Sequence, residues 1–439
     1  MTAVAQSAGV LSFEAAYATV LEYCRRLGPP QTKEIALLDG LGRVLAEPIL
    51  ADRDFPPFPR ATRDGYAVRA DDLHTVPATL RVIGQIQAGA AFSGRVAPGQ
   101  AVEIMTGAAV PEGADAVVMV EYTARASGSD QVEIQRAVTG AENVVARGAE
   151  VRAGQPVLAP GARLSAAQVA LAAACGKARV RVYREPRVAI LATGDELVEI
   201  SETPGPFQIR NSNSYSLAAQ VESAGGEAMR LPVAPDEPRK LAFLIHAGLE
   251  ADMLLLSGGV SMGKFDLVEQ ALTKLGAEFF FTGALIQPGR PVVFGEVKFS
   301  REGNGSARNR AARDPGVLEG SREGREAIPF FGLPGNPVST MVCFDLFARP
   351  VLQTLGGAQA ARLPSVNARL KKDVKTKTGL TRFLPALLEG GLNDPQVAVV
   401  PWQGSGDVLA SARANCYLVV PPDRETIAAG EMVTILWRG

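Results

Sequence analysis

The chain has 439 residues, with 45 basic and 46 acidic side chains, four cysteines and two histidines. So few histidines exclude a histidine-rich zinc or iron site, and a Ser-His-Asp hydrolase would have to use one of these two rings. A formal net charge of -1 argues against a general nucleic-acid binder, because that role needs a basic surface that displaces counterions. At roughly 150 residues per domain, the length predicts about three domains.

The cysteines and the apolar runs predict the cellular location of the protein. The cysteines lie far apart and form no C-x-x-C pair, so we expect reduced thiols and a cytoplasmic protein. No window reaches about 18 consecutive apolar residues, and the first ten residues lack the order of a signal peptide. We therefore expect neither a membrane nor a nucleic acid among the partners.

The first 186 residues predict a helix, a β-rich module and a linking domain. Apolar spacing predicts an amphipathic helix over Phe13 to Leu27. Residues 51–150 contain no lysine and many glycines and prolines between short apolar runs, which is typical of a β-rich module. An Ala-rich helix is expected over Ser165 to Cys175. We assign residues 1–50 together with 151–186 to the N-terminal helix and linking domain.

The next segment alternates between strands and helices, which predicts a doubly wound α/β domain over 187–356. Strands are expected at Val188 to Ala192 and at Met253 to Leu256, with a helix at Tyr215 to Ala224 between them. Asp236 is expected to be the N-cap of the following helix. The predicted sheet is parallel and open.

The remainder of the chain predicts a mobile loop and a barrel. Residues 301–326 are rich in charge and glycine, so we expect a mobile surface loop. Short alternating segments predict a small C-terminal β-barrel over 357–439. The predicted fold class is therefore multidomain α/β plus β: a doubly wound α/β domain, a β-rich module, a small linking domain and a C-terminal β-barrel.

Three glycine-containing turns follow strands of the α/β domain. In an open parallel sheet, ligands bind outside the carboxyl ends of the strands, and glycines let backbone N–H groups approach an anion. The turns are Thr193-Gly194-Asp195-Glu196, Ser257-Gly258-Gly259-Val260-Ser261-Met262-Gly263 and Pro334-Gly335-Asn336-Pro337. Any one of them could be an ordinary connection, but together they predict a phosphate-binding crevice. A P-loop is not expected, because Phe265 follows Lys264 where a Ser or Thr is needed.

Further polar residues lie near these turns or in the β-rich module. Asp195, Glu196, Asp236 and Asp266 are hard oxygen ligands of the kind that Mg²⁺ shares with substrate phosphates, although Asp195, Glu196 and Asp236 could instead cap helices. The segment Gln287-Pro288-Gly289-Arg290-Pro291 predicts a rigid turn that presents an arginine, either to an oxyanion or only to solvent. Rigid loops around Asp64 and Thr106 are either a site or strand connections.

In this order, the motifs resemble those of the molybdopterin molybdenumtransferase (MoeA) family, which includes the E domain of gephyrin. The matching segments are Asp64-Gly65-Tyr66-Ala67-Val68, Ile104-Met105-Thr106-Gly107-Ala108, Thr193-Gly194-Asp195-Glu196-Leu197, Ser257-Gly258-Gly259-Val260-Ser261, Pro288-Gly289-Arg290-Pro291 and Gly332-Leu333-Pro334-Gly335-Asn336-Pro337. The resemblance covers nearly the whole chain. It implies a transferase of molybdenum cofactor biosynthesis that inserts molybdate into adenylylated molybdopterin, releases AMP and uses Mg²⁺.

The resemblance also implies partners. It implies a homodimer in which the α/β domain of one protomer shares an active cleft with the β-rich module of the other. A molybdopterin adenylyltransferase and apo-molybdoenzymes are the expected protein partners, beside the small-molecule substrates. A non-catalytic scaffold of the same fold, binding molybdopterin or peptides, is the alternative.

By position, the resemblance assigns site residues. The implied catalytic residues are Asp64, Thr106, Glu196, Asp236 and Asp266, with Glu196 and Asp266 as the Mg²⁺ ligands. The implied substrate-binding residues are Thr193, Gly194, Asp195, Asn211, Ser257, Gly258, Gly259, Ser261, Pro288, Gly289, Arg290, Pro334, Gly335, Asn336, Pro337, Arg382 and Ser405.

Among these residues, three groups have expected roles. Backbone N–H groups of Gly258, Gly259 and Gly335 are expected to hold phosphate. Asn211 and Ser261 are expected to donate to the pterin or the phosphate. Arg290 and Ser405 are expected to form the molybdate pocket.

The chain departs from the family at one cation. The family motif often reads Lys-Pro-Gly, whereas this chain has Gln287 before Pro288. Arg290 or another residue must then supply the missing charge for an oxyanion. Near Phe383, where the family tends to place basic residues, only Arg382 remains.

Overall fold

The computed structural model describes residues 9–258, 265–298, 327–391 and 393–438, apart from the side chains of Phe265 and Asp266. These residues form two compact units. The first unit contains the described residues of 1–33, 42–44 and 183–439, and the second contains 34–41 and 45–182. The mobile loop predicted over 301–326 lies outside the described residues. The domain boundaries at 50, 150, 186 and 356 stay a prediction.

A mixed sheet forms the centre of the first unit. Across this sheet, its six described strands follow the order Glu227–Arg230, Arg187–Ala192, Met253–Ser257, Ala327–Leu333, Val293–Lys298, Ala277–Phe281. The first four are mutually parallel. Val293–Lys298 runs antiparallel to both neighbours, so the expectation of a parallel sheet is wrong for this strand. The segment 282–292 before it contains no helix, and a parallel connection needs a crossover of about a dozen residues or more, usually helical.

Helices cover both faces of this sheet, as a doubly wound fold requires. Side chains alternate between the faces of a strand, so Ile190 and Leu255 join one core while Leu191 and Leu254 join the other. The described helical segments of this unit are Phe13–Arg26, Ser212–Ala224, Pro238–Gly248, Phe265–Lys274, Pro337–Cys343, the π-helical Phe344–Ala348, Arg349–Leu355 and Val408–Arg413. The predicted doubly wound α/β architecture is confirmed.

The N-terminal helix packs against the α/β core and not against residues 151–186. It begins at Phe13, after the Ser12 cap, and ends at Arg26. Its buried stripe joins the core of the first unit, where the ring of Phe13 lies 6.1 Å from that of Phe347. The sequence-based assignment groups this helix with residues 151–186, but its apolar face is covered by the α/β core, because an apolar stripe alone does not indicate which core will cover it.

The C-terminal strands close into the predicted barrel. In the described part of this region, the barrel strands are Ser365–Leu370, Thr381–Gly391, Asp394–Val399, Cys416–Val420 and Met432–Trp437. Thr381–Gly391 pairs with both Asp394–Val399 and Cys416–Val420, which closes the ring. Ile286–Gln287 from the α/β region adds in parallel beside Thr381 and Arg382. This addition brings the Gln287 segment to the rim of the barrel.

The second unit contains the lysine-free module. Its main sheet, as far as the chain is described, has the strand order Ala116–Met119, Gly65–Val68, Gln100–Ile104, Ala78–Ile86, Gln131–Ile134, Thr123–Ala124. The predicted Ala-rich helix is Ala166–Ala174, with a capping box at Ser165. Shorter strands elsewhere in the chain are Val10–Leu11, Thr32–Ala36, Ile49–Leu50, Arg60–Ala61, Val144–Val145, Pro156–Leu158, Arg179–Tyr183, Leu197–Val198, Ile209–Arg210, Gly283–Ala284, Val374–Lys375 and Thr426–Ile427.

All four cysteines are described, and each is buried and unpaired. Among the residues that the structure describes, none of the helices combines the length and apolar character that a membrane crossing requires.

Candidate functional site

Three turns meet at one edge of the central sheet. Arg187–Ala192, Met253–Ser257 and Ala327–Leu333 are parallel neighbours, so their carboxyl ends lie side by side. We call the following segments the first turn (Thr193–Glu196), the second turn (Ser257–Gly258, its described part) and the third turn (Pro334–Pro337). The three strand-end turns predicted from the sequence are thus brought together at the edge where ligands bind in such sheets.

Gly258 lets the second turn lie against the first. Its φ of 87° is in the left-handed region, and a Cβ added there would come within 2.5 Å of the backbone oxygen of Thr193. The third turn is also close, because a Cβ on Gly335 would lie 3.6 Å from the Cα of Gly258. The N–H of Gly258 donates to Leu333 O at 3.3 Å. This N–H, which the sequence predicts to hold phosphate, thus donates to the neighbouring strand, and glycine at this position permits the close approach of the turns.

The Gly335 N–H remains a proposed phosphate donor. Among the described residues, no acceptor is hydrogen-bonded to its N–H. Thr340 fixes this third turn from the following helix, because its hydroxyl donates to the carbonyls of Pro334 and Asn336. The turn is therefore rigid and presents a backbone donor.

The first turn holds a carboxylate over its own backbone. The φ of Gly194 is 145°, and a Cβ there would lie 2.5 Å from a carboxylate oxygen of Glu196. Glycine at this position therefore makes room for the Glu196 side chain. This placement keeps the Glu196 carboxylate beside the turn and exposed to solvent.

The loop at Asp236 joins the first turn. Thr193 Oγ1 donates to Asp236 Oδ1 at 3.3 Å, and the Asp236 N–H donates to Asp195 Oδ1 at 3.0 Å. The expectation that Asp236 caps the next helix is wrong: the N-cap is Glu237, which makes no side-chain capping bond. Asp236 is held by the first turn instead, which places its carboxylate at the same sheet edge.

Asn213 is a site residue that the sequence did not reveal. The expected donor Asn211 is buried, and its Oδ1 accepts the Ser214 N–H as the N-cap of the Ser212–Ala224 helix. Two residues later, Asn213 Nδ2 donates to Ser257 Oγ at 3.0 Å and to Gly335 O at 2.7 Å. The two asparagines occupy similar sequence contexts, so no sequence signal separates the cap from the contact.

A buried arginine stands beside Gln287. Arg382 is 6% exposed, and its Nε donates to Gln287 Oε1 at 2.8 Å while its Nη1 donates to Leu380 O at 3.2 Å. Burial lowers the pKa of this guanidinium, which nonetheless stays protonated in proteins. Within the described part of the chain, no carboxylate forms an ion pair with it.

The other residues of the expected molybdate pocket are placed separately. Arg290 is exposed, and its carbonyl accepts the N–H of Ala284 at 2.9 Å. Pro288 and Gly289 are buried, and a Cβ on Gly289 would meet the Cys343 sulfur at 2.3 Å. Ser405 contacts the residues after the third turn, because its carbonyl accepts the Val338 N–H at 3.0 Å. Of the described hydrogen bonds, none joins Arg290 to Ser405.

Asp64 and Thr106 form a pair in the second unit. Asp64 Oδ1 accepts both the Thr106 hydroxyl, at 2.7 Å, and the Thr106 N–H, at 2.6 Å. These hydrogen bonds, that of the hydroxyl foremost, hold the pKa of Asp64 below its ordinary value of 3.8. The two residues that the sequence singled out in separate loops are thus in direct contact.

We predict that Thr106→Val raises the pKa of Asp64 toward its ordinary value, because it removes the hydroxyl donor and keeps the N–H donor. Since the folded-state pKa of Asp64 is lowered, the contribution of these hydrogen bonds to stability is present at pH values above the ordinary pKa. It is lost as the pH falls through the folded-state pKa. Titration of the Asp64 carboxyl carbon by NMR, in both forms, measures this shift. An unchanged pKa in the variant would show that the hydroxyl bond has no such effect.

Some expected site residues lie outside the described residues, namely Gly259, Ser261 and the side chain of Asp266. Among the residues that are described, no group of three or more His, Cys, Asp or Glu side chains is arranged to hold a metal ion.

Family models and known proteins match this chain over most of its length. Three family models match: the MoeA N-terminal region (domain I and II) at residues 11–176, a probable molybdopterin binding domain at 189–354 and the MoeA C-terminal region (domain IV) at 367–437. A molybdopterin molybdenumtransferase of Bacillus subtilis is 34% identical over 413 residues, which are 92% of this chain and 90% of that protein.

Two further relatives extend the comparison. A molybdopterin molybdenumtransferase of Haemophilus influenzae is 33% identical over 414 residues, covering 93% of this chain and 94% of that protein. A crystal structure of a molybdopterin biosynthesis moeA protein from Pyrococcus horikoshii aligns with a TM-score of 0.75 at 29% identity, covering 98% of this chain and 100% of that one. The chain therefore belongs to the molybdopterin molybdenumtransferase (MoeA) family and is a transferase of molybdenum cofactor biosynthesis.

Proposed function

We propose that this protein inserts molybdate into adenylylated molybdopterin, with release of AMP, to give molybdenum-loaded molybdopterin. The observation that carries the proposal is the meeting of three glycine-containing turns at one edge of the central sheet. Two anions, a diphosphate and an oxyanion, must be held together before the P–O bond of the diphosphate breaks. Fixed backbone dipoles at that edge stabilise such charges without rearranging during the reaction.

The diphosphate has suitable donors at the turns. The Gly335 N–H lies in a rigid turn, and no described acceptor occupies it. Ser257 adds a hydroxyl at the end of its strand. Small residues on all three turns leave space for a phosphate to approach the backbone. These groups support phosphate binding at the second and third turns.

Molybdate is the proposed ligand of Arg382. A buried guanidinium without a described carboxylate partner retains its charge for an anion that enters the site, and its planar donor array suits an oxyanion. Gln287 replaces the family's frequent lysine, and it contributes an acceptor that fixes Arg382 instead of a second cation. Arg290 and Ser405 remain proposed members of this pocket.

Magnesium fits the donor set at the first turn. Mg²⁺ usually keeps several waters and binds through one or two carboxylates plus substrate phosphates, so a cluster of three protein ligands is not required. The exposed Glu196 carboxylate over Gly194 is a hard oxygen donor of this kind. We propose Glu196 and Asp266 as ligands and Asp236 as a nearby catalytic carboxylate. The ion would neutralise charge on the diphosphate.

The Asp64–Thr106 pair is proposed to act in a homodimer, with the pair of one protomer completing the cleft of its partner. Its support is the family resemblance together with the direct contact between the two side chains. A cytoplasmic location, and contacts with a molybdopterin adenylyltransferase and apo-molybdoenzymes, belong to the same proposal.

The function is tested by AMP release from adenylylated molybdopterin in the presence of molybdate and Mg²⁺. Glu196→Gln keeps the shape of the side chain and removes its charge, so we expect AMP release to fall by about a hundredfold or more. Glu202→Gln, a matched change at an exposed position after the first turn, is expected to leave the rate unchanged. Equal rates for Glu196→Gln and the unmodified protein would contradict the role of Glu196.

A further inference from the structure

Asn213 connects two of the three turns through one carboxamide nitrogen. Its Nδ2 lies 2.7 Å from Gly335 O in the third turn and 3.0 Å from Ser257 Oγ in the second. A backbone carbonyl can only accept a hydrogen bond, so the atom that faces Gly335 must be the nitrogen. The orientation of this side chain is therefore fixed by chemistry.

The regular pairing of the two strands ends just below this contact. The parallel register of Met253–Ser257 and Ala327–Leu333 ends with Ser257 opposite Leu333, and the Gly258 N–H still reaches Leu333 O. Among the hydrogen bonds between described residues, those of Asn213 join Ser257 in the second turn to Gly335 in the third. A side chain from a different element therefore adds a cross-link between the two turns to the backbone pairing that ends at Leu333.

The carboxamide oxygen of Asn213 carries an energetic cost. Asn213 Oδ1 is buried and has no hydrogen-bond partner among the described residues. An unpaired buried acceptor is unfavourable, and an apolar side chain of similar shape would avoid it. The two donor contacts offset that cost locally.

We propose that Asn213 is a positioning residue that holds the second and third turns at the separation that bound molybdopterin requires. The inference rests on the proposed function for the identity of the ligand. Asn213 acts through Ser257 and Gly335, and its own contact with the ligand is not needed. A misplacement of about 1 Å in an element that positions a substrate can cost about a hundredfold in rate.

The test is binding of molybdopterin, followed by pterin fluorescence, to the full-length protein and to Asn213→Leu. Leucine has nearly the same shape and no charge, and it removes both donors. We expect the Kd for molybdopterin to rise by about tenfold or more, which corresponds to the loss of about 1.4 kcal/mol of binding free energy. In turnover, the KM for adenylylated molybdopterin should rise likewise, while the half-saturating molybdate concentration changes less than about twofold, as Arg382 is untouched.

Gln220→Leu is the matched control. Gln220 lies on the same helix, and its Nε2 donates to Met341 O at 3.1 Å, outside the turns. It should lower the Tm by an amount similar to Asn213→Leu and leave the molybdopterin Kd unchanged. If Asn213→Leu does not fold, Asn213→Ala removes the same donors without adding a charge and is measured in its place.

Two results overturn the inference: a folded Asn213 variant whose molybdopterin Kd is within about twofold of the unmodified protein, or a Gln220→Leu variant that loses as much affinity. Failure of the proposed function is a separate outcome. If the unmodified protein binds molybdopterin but releases no AMP, the reaction proposed above is wrong, and the binding comparison still decides the role of Asn213.

Discussion

Replacing Arg382 by methionine is expected to raise the half-saturating molybdate concentration by about a hundredfold. Two charge-assisted hydrogen bonds of about 1.5 kcal/mol each amount to about 3 kcal/mol, which is about a factor of 100. The guanidinium is buried and has no described carboxylate partner, so its charge is available to an entering oxyanion. The measurement is AMP release as a function of molybdate concentration at saturating adenylylated molybdopterin.

Gln287→Leu tests how that arginine is held. Loss of the Oε1 acceptor removes the 2.8 Å contact with Arg382 Nε, so we expect a smaller rise, about tenfold, with little change in kcat. Arg369→Met is the matched control for a barrel arginine, since Arg369 forms an exposed ion pair with Asp394. A half-saturating molybdate concentration that stays within about twofold for Arg382→Met would rule out Arg382 as the molybdate ligand.

Gly258→Ala is expected to have the largest combined effect on stability and activity. The new methyl group would meet the Thr193 carbonyl oxygen at 2.5 Å, and this backbone oxygen belongs to the first turn, so it cannot move aside without shifting that turn. We expect a loss of about 2–4 kcal/mol in the free energy of unfolding, from left-handed strain and the clash together. AMP release should fall by about a hundredfold, because the turns are displaced.

Gly276→Ala is the control that separates left-handed backbone strain from the steric clash with Thr193. Gly276 has a φ of 84°, close to the 87° of Gly258, but its added Cβ would find the nearest atom, Lys298 O, at an ordinary 3.6 Å. This control should lose about 1 kcal/mol of stability and keep its activity. Urea unfolding and AMP release are measured for both variants. Similar losses in both would mean that the approach of the second turn to Thr193 has no special effect.

Much of the fold could be predicted from the sequence, because its signals are local. Periodicity predicted the helix that the structure begins at Phe13 and ends at Arg26, and the run after Arg187 predicted a buried strand. Glycines at the strand ends predicted the three turns. That the turns meet could also be predicted, because the carboxyl ends of parallel strands lie at one edge of a sheet. The closed barrel followed from short alternating segments in the same way.

Apart from the antiparallel direction of Val293–Lys298, the errors concern what a local element contacts in three dimensions. Asp236 precedes a helix and is a residue type that often caps helices, yet its side chain accepts a hydrogen bond from Thr193 in the first turn. The Gln287–Arg382 contact joins residues 95 positions apart, and the Asn213–Gly335 contact joins residues 122 apart. Local sequence patterns carry no information on such pairs, so the connections that organise the site became visible only in the structure.

The central claim is that this protein couples molybdate insertion to AMP release. The direct measurement is a single-turnover reaction with enzyme in excess over adenylylated molybdopterin, in which AMP and molybdenum-loaded molybdopterin are quantified together with and without molybdate and Mg²⁺. The account predicts that both products form in equal amounts when molybdate and Mg²⁺ are present, and that omitting molybdate prevents the release of AMP as well as the formation of the molybdenum-loaded product. Binding of adenylylated molybdopterin without AMP release under the complete conditions would contradict it and indicate a non-catalytic scaffold of the same fold.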